Sequence, residues 1–284
     1  ICRRKKQPDV RKKEKWKPYL DYVLKEQEWL KEHQEQELKE IRSKDGLTLR
    51  AAYIPRENAK GTIICMHGYH STNDIEFVPE VRFLWNLGYS ILLPWQRSHG
   101  KSEGRYITYG VKERHDLKRW ILYTNRHLAA KNKDIFLCGI SMGCATTLMA
   151  AGLDLPDNVK GIIADCGFTS PWDIIKHVAK ERFHLPPFPL MYMVDLISEV
   201  VAGFGLKEVS IPEIMKRNKI PVLFIHGDAD DYVPMWMTIK NYEACAAPKE
   251  LYIVSGAGHA LAFSKDMEEG KRRIKNFIDK YKTI

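Results

Sequence analysis

Gly139-Ile140-Ser141-Met142-Gly143 sets a serine between two glycines, after the apolar run Ile135–Cys138 and before the small residues Cys144-Ala145-Thr146-Thr147. A strand that turns sharply into a helix at such a serine lifts its hydroxyl above the sheet, and the glycines leave room for the turn. The start of the helix favours developing negative charge, so the Met142 N–H is expected to point at an oxyanion. A serine hydroxyl alone is a poor nucleophile; it needs a base, and the base needs an acid to orient it. The expected base is His259, which follows the strand-like run Leu251–Val254 and the loop Ser255-Gly256-Ala257-Gly258. The acid is expected after the run Val222–Ile225, in His226-Gly227-Asp228-Ala229-Asp230-Asp231-Tyr232-Val233-Pro234. Three aspartates compete there. Asp230 is favoured, Asp231 is the weaker alternative, and Asp228 reads as a residue that stabilises the turn. His226 sits too early and reads as a brace.

A second oxyanion donor should come from the loop after an early strand. Ile63-Ile64-Cys65-Met66-His67-Gly68-Tyr69 supplies it: Gly68 permits close backbone approach, and the Tyr69 N–H is the assigned donor. His67 and His70 have no carboxylate at ligand spacing, so no metal site is expected.

These loops need a scaffold that brings strand ends together. Strand-like runs at 47–54, 62–66, 89–93, 135–138, 161–164, 221–226 and 251–254 alternate with helical periodicity at 76–86, 110–128, 142–151, 235–246 and 264–281. Repeated βα units of this kind predict a mainly parallel sheet with helices on both faces, and ligands beyond the carboxyl ends of its strands. Residues 19–41 are charged and read as one or two leading helices. The stretch from Asp165 to Ile220 breaks the alternation, with helical segments near 171–182 and 190–202 around a proline-rich link. It is expected to form a cap.

From about residue 43 to 281 the chain resembles the α/β-hydrolase superfamily. His67-Gly68-Tyr69, Arg97-Ser98-His99-Gly100-Lys101-Ser102-Glu103-Gly104, Gly139-Ile140-Ser141-Met142-Gly143, Asp165-Cys166-Gly167-Phe168-Thr169-Ser170, His226-Gly227-Asp228-Ala229-Asp230 and Gly258-His259 occur in family order. The second of these segments looks like that of serine-aminopeptidase-like, monoglyceride-lipase-like and bacterial carboxylesterase members. The resemblance implies an eight-stranded, mostly parallel sheet and no cofactor. It divides the chain into a basic tail and leading helices (1–42), a core (43–169 and 216–284) and a helical cap (170–215). Ser141 in place of a carboxylate excludes the haloalkane-dehalogenase branch.

The expected reaction is two-step acyl transfer on a small-molecule substrate, with short-to-medium acyl esters as the working class. Trp172, Phe183, Leu185, Phe188, Leu190, Met191 and Met193 could line an acyl pocket. An aminopeptidase, which would use cap acids such as Glu181, Asp195 or Glu199 to hold a free amine, remains an alternative. So do a thioesterase and a non-catalytic binding protein.

The net charge of +9 is local: residues 1–18 carry nine basic groups against Asp9 and Glu14, leaving the body near neutral. No nucleic-acid partner is therefore expected. The tail reads as a solvated arm or as a contact with an anionic membrane surface. The chain begins at Ile1, and Arg3-Arg4-Lys5-Lys6 resembles the cytoplasmic flank of a lost membrane anchor. Six cysteines without paired spacing, no signal-like segment and no membrane-spanning run suggest reduced thiols and a cytoplasmic setting. Filter binding checks the charge assignment: any retention of nucleic acid should disappear when residues 1–18 are removed.

Overall fold

The computed structural model describes residues 14–34, 38–128 and 133–283. Most of the tail invoked for membrane contact, and Cys2 with it, lies outside the described residues. Eight strands form one sheet: β1 (Lys39–Arg42), β2 (Thr48–Ile54), β3 (Gly61–Met66), β4 (Ser90–Pro94), β5 (Asp134–Ile140), β6 (Val159–Asp165), β7 (Val222–Gly227) and β8 (Lys249–Val254). Their order across the sheet is β1-β2-β4-β3-β5-β6-β7-β8. β2 pairs antiparallel with β1 and β4, and every other pairing is parallel.

β3 and β5 are buried along their whole length, as expected of parallel strands covered on both faces. In β5, Ile135 and Leu137 face one core, while Phe136, Cys138 and Ile140 face the other. The helices, in chain order, are α1 (Leu20–His33), α2 (Asn73–Glu76), α3 (Val78–Asn86), α4 (Glu113–His127), α5 (Met142–Ala150), α6 (Pro171–Phe183), α7 (Leu190–Ile197), α8 (Ile211–Met215), α9 (Met235–Ala244), α10 (Ala262–Lys265) and α11 (Met267–Tyr281). α1, α3, α10 and α11 cover one face, and α4, α5, α8 and α9 cover the other. α11 shows the pattern that places it: Ile274, Phe277 and Ile278 recur at helical spacing and are buried, while its opposite face is charged. Among the described residues no helix is long and apolar enough to cross a membrane.

The sequence reading carries helix through residue 41, and here the structure differs. α1 ends at His33, and Lys39–Arg42 is an edge strand in register with Thr48–Ala51. Four residues that alternate between half-buried and exposed are too few to show a period against their charged neighbours.

The segment between β6 and β7 leaves the core at Thr169 and returns where the Ile211 N–H donates to the Thr169 carbonyl (2.9 Å). α6 begins at Ser170, whose hydroxyl accepts the Asp173 N–H at 3.0 Å, with Pro171 in the first turn. α7 buries Met191 and Val194 and exposes Tyr192, Met193, Leu196 and Ile197. α8 packs on α5 and α9 rather than on the excursion.

A buried ion pair fastens the loop after β4. Arg97 donates to both oxygens of Asp116 on α4 (2.7 and 2.8 Å), and also to Asp45 in the β1–β2 turn (2.8 and 3.1 Å). Arg97 and Asp116 side chains are 5% and 4% exposed, so Asp116 without Arg97 would be an uncompensated buried charge. Arg97→Met should therefore destabilise the protein by about 3–5 kcal/mol in chemical unfolding, and adding Asp116→Leu should recover part of that loss. Equal stability of wild type and R97M would contradict this account.

Candidate active site

The sheet collects its functional loops along one edge. Ser141 follows β5 directly and heads α5, with φ 56° and ψ −116°, a conformation non-glycine residues rarely adopt. Its N–H donates to the Asp165 carbonyl at 2.9 Å, and its own carbonyl accepts the Ala145 N–H at 3.0 Å. The flanking glycines are sterically required: a Cβ on Gly143 would overlap the Met66 carbonyl, and one on Gly139 would press on the Gly143 carbonyl and the Cys144 nitrogen.

His259, on the loop after β8, lies with Nε2 3.0 Å from Ser141 Oγ and Nδ1 2.7 Å from Asp230 Oδ2. A carboxylate only accepts, so Nδ1 carries the proton and Nε2 is left to accept from the serine hydroxyl. Asp230 follows β7, and its side chain is 1% exposed. Its Oδ1 accepts the Tyr232 and Val233 N–H groups (2.8 and 2.9 Å), which fixes the carboxylate in the turn. Burial alone would raise the Asp230 carboxyl; hydrogen bonds from His226 and His259 outweigh it and hold the group well below the usual carboxylate range.

The other two aspartates lie elsewhere. Asp228 Oδ1 accepts the Gly256 N–H (2.6 Å), tying the β7 and β8 loops together, and Asp231 is exposed beside Arg182. His226 is fully buried, with Nε2 donating to the Val233 carbonyl (2.9 Å) and Nδ1 against the Thr238 hydroxyl (2.8 Å). Its Nε2 also stands 3.3 Å from Asp230 Oδ2, so it braces the loop and helps hold the carboxylate charged.

The Tyr69 N–H belongs to the loop after β3, next to Gly68, where an added Cβ would lie 3.2 Å from Ser141 Cβ. The Met142 N–H opens α5 and has no preceding turn to accept it. Supporting residues absent from the sequence reading hold the first of these loops. Glu76 on α2 accepts the Gly68 N–H, and the Gln96 side chain donates to the His67 carbonyl. The Gln96 N–H donates to His67 Nε2 (3.1 Å), the Thr146 hydroxyl reaches Gln96 Oε1 (3.0 Å), and the His70 N–H meets His99 Nε2 (3.1 Å). Burial, with His99 alongside, keeps the His67 imidazole neutral by lowering its pKa far below the ordinary value. Nothing in the spacing of Glu76 and Gln96 marks them beforehand, because each reaches its target across two separate loops.

The excursion and the core border a cavity of about 470 Å³, and Tyr232 in its lining has its ring 5.1 Å from that of His259. Ile174, Val178, Leu190 and Met191 form its wall on α6 and α7, while Tyr69, Tyr109 and Tyr232 border it from the core. Of the apolar residues expected around an acyl group, Phe183, Leu185, Leu190 and Met191 line it. Trp172 instead meets Tyr192 and Lys207, and Phe188 and Met193 face solvent. Among the described residues that line this cavity there is no carboxylate. Glu181 lies beside Lys180, Asp195 accepts the Leu206 N–H, and Glu199 borders a separate surface hollow.

Cys166, Asp230 and His259 bring potential metal-ligand atoms within 4.8 Å of one another. Burial pushes the Cys166 thiol well above its ordinary pKa, and the carboxylate and imidazole are bonded to each other. The group's geometry is that of a hydrogen-bonded relay rather than an open ligand set. Cys65, Cys138, Cys144 and Cys245 are likewise free and buried.

A single mostly parallel eight-stranded sheet with its functional loops gathered at the carboxyl edge defines an α/β-hydrolase. Within that class the chain belongs to the prolyl oligopeptidase family, whose sequence profile matches residues 103–283. It is 29% identical to the protein YqkD of Bacillus subtilis over 84% of its own length and 78% of that protein. It is 25% identical to the protein bem46 of Schizosaccharomyces pombe, over 75% of this chain and 67% of that one. Among solved structures, the esterase Pf2001 of Pyrococcus furiosus superposes with a TM-score of 0.71 at 27% identity, covering 88% of this chain and 94% of that one.

Asp165, at the end of β6, is buried behind this site, and its Oδ1 has no hydrogen-bond partner. Burial raises its pKa to about 7; the Asp230 charge adds to the rise and His226 opposes it. The folded protein thus keeps this proton to higher pH than the unfolded chain, so the group's contribution to stability declines as pH climbs from 3.8 to about 7. Asp165→Asn removes that decline. Urea unfolding should show the variant gaining more relative to wild type at pH 8 than at pH 5, and an equal difference at both would refute the assignment.

Proposed function

We propose that this protein is a serine hydrolase that cleaves carboxylic esters with short-to-medium acyl chains, using Ser141, His259 and Asp230 as a catalytic triad. The reading rests on one observation: an unbroken line of hydrogen bonds from Asp230 through His259 to Ser141, beside an apolar cavity. His259 Nε2 takes the hydroxyl proton as Ser141 Oγ attacks the acyl carbonyl. Asp230 stays ionised and stabilises the imidazolium. The Tyr69 and Met142 N–H groups hold the oxyanion of the tetrahedral intermediate. The alcohol leaves with the proton from His259, giving an acyl-Ser141 ester. Water, deprotonated by His259, then attacks that ester and releases the carboxylic acid and the free serine. α6 and α7 serve as a cap whose apolar wall takes the acyl chain. The likeness to an enzyme called an esterase supports this choice of substrate.

Family membership favours a second reading, cleavage of amides in peptides. Among the described lining residues the one charged side chain is Arg182, and a cation there weighs against release of residues that carry a free amine. Aryl esters and aminoacyl arylamides compared on the same preparation separate the two.

With p-nitrophenyl butyrate as substrate, Ser141→Ala and His259→Ala should each lower kcat by roughly 10³-fold or more, and Asp230→Asn by about 10²–10⁴-fold. Retained turnover in S141A would exclude this mechanism, and arylamides cleaved faster than esters would transfer the function to the second reading.

A further inference from the structure

Among the described residues, the wall of the cavity carries a single charge. Arg182, in the last turn of α6, is the one ionisable Asp, Glu, Lys, Arg or His side chain among the lining residues, and the rest of the wall is aliphatic or aromatic. Its guanidinium carbon stands 4.7 Å from the centre of the Tyr232 ring. The Tyr232 ring in turn lies 5.1 Å from that of His259. The positive charge is therefore one aromatic ring away from the imidazole. Phe183 and Leu185 line the cavity and are also exposed, so the cavity opens to solvent next to Arg182.

A rim arginine can serve only to keep a surface soluble, its stem on apolar groups and its head in water. Two features argue for more. Although the side chain is 45% exposed, the guanidinium lies over the ring that separates it from His259. Its one carboxylate neighbour, Asp231 at 3.3 Å, is 82% exposed, and such surface pairs are weak and easily exchanged. A planar guanidinium resting on an aromatic face presents its remaining N–H groups as a fork, the geometry that receives a carboxylate with two hydrogen bonds.

We infer that Arg182 forms an anion subsite at the mouth of the acyl cavity, and that the preferred esters carry a carboxylate at the far end of the acyl chain. The inference rests on the ester-hydrolase reading and specifies its substrate class. The ester carbonyl sits at Ser141, the methylene chain crosses the apolar wall past Tyr232, and the terminal carboxylate displaces Asp231 from the guanidinium. A substrate with a free ammonium at that end meets a like charge.

The test compares p-nitrophenyl hemiadipate with p-nitrophenyl hexanoate, which match in chain length and differ in the terminal carboxylate. Wild type should favour the hemiadipate in kcat/KM. Arg182→Gln should lower the hemiadipate-to-hexanoate ratio by about tenfold, the order set by one partly solvated charge-assisted contact. Asp231→Asn, which removes the internal competitor, should raise that ratio. A ratio unchanged by R182Q, or lowered by D231N, would overturn the inference while leaving hexanoate hydrolysis, and with it the esterase reading, in place. Calorimetry on the Ser141→Ala protein reads the subsite without turnover. Monomethyl adipate should bind more tightly than methyl hexanoate, and R182Q in that background should abolish the difference. Equal binding of the two esters before R182Q is added would refute the subsite even if no ester were hydrolysed.

Discussion

The backbone at Ser141 is the constraint on which the rest depends. A residue with a Cβ held at φ 56° stores about 1–3 kcal/mol of strain, and only surrounding structure that over-determines it keeps it there. That structure is the parallel register of three central strands. β3 pairs Met66 with Gly139, and β5 pairs Ile140 with Asp165, so the carbonyls flanking the turn are fixed by the sheet itself. The Asp165 carbonyl receives the serine N–H, and the Met66 carbonyl occupies the space a side chain at 143 would need. The strain is spread across the most deeply buried strands of the molecule, where packing leaves no alternative arrangement.

From that fixed point, the neighbouring loops are held by buried polar groups that have to find partners. His67, Gln96, Thr146 and Glu76 satisfy one another and the backbone around Gly68, which sets the Tyr69 loop against the serine. On the other side, His226 and the Tyr232 and Val233 amides fix the orientation of Asp230, and together with His259 they hold it charged. The side that borders the cavity is built differently. α6 and α7 meet the core largely through apolar contacts, and much of α7 faces water.

The sequence makes the core of this arrangement legible because its signals are local. A glycine pair brackets Ser141, and each of Asp230 and His259 follows an apolar run by a few residues. The choice among Asp228, Asp230 and Asp231 is less legible: the sequence favours Asp230 and keeps Asp231 open, and only the folded turn shows that it is Asp230 that meets His259. What the sequence hides is non-local. Lys39–Arg42 reads as helix because its partner, Thr48–Ala51, supplies the only reason for it to be a strand. Glu76 and Gln96 carry no periodic or motif signal, and their importance lies in what they meet across the loops. The cavity wall is half legible: an apolar, proline-rich stretch predicts contact with something, but which of Trp172, Phe183, Phe188 and Met193 turns inward depends on the rotation of two short helices.

The account centres on a serine made nucleophilic by the imidazole beside it. Intact-mass spectrometry after exposure to a small fluorophosphonate reads this most directly. The protein should gain one phosphonyl group, mapped to the peptide that contains Ser141, and His259→Ala should slow the addition by orders of magnitude. Absence of the adduct in folded wild-type protein, or its appearance on another residue, would contradict it.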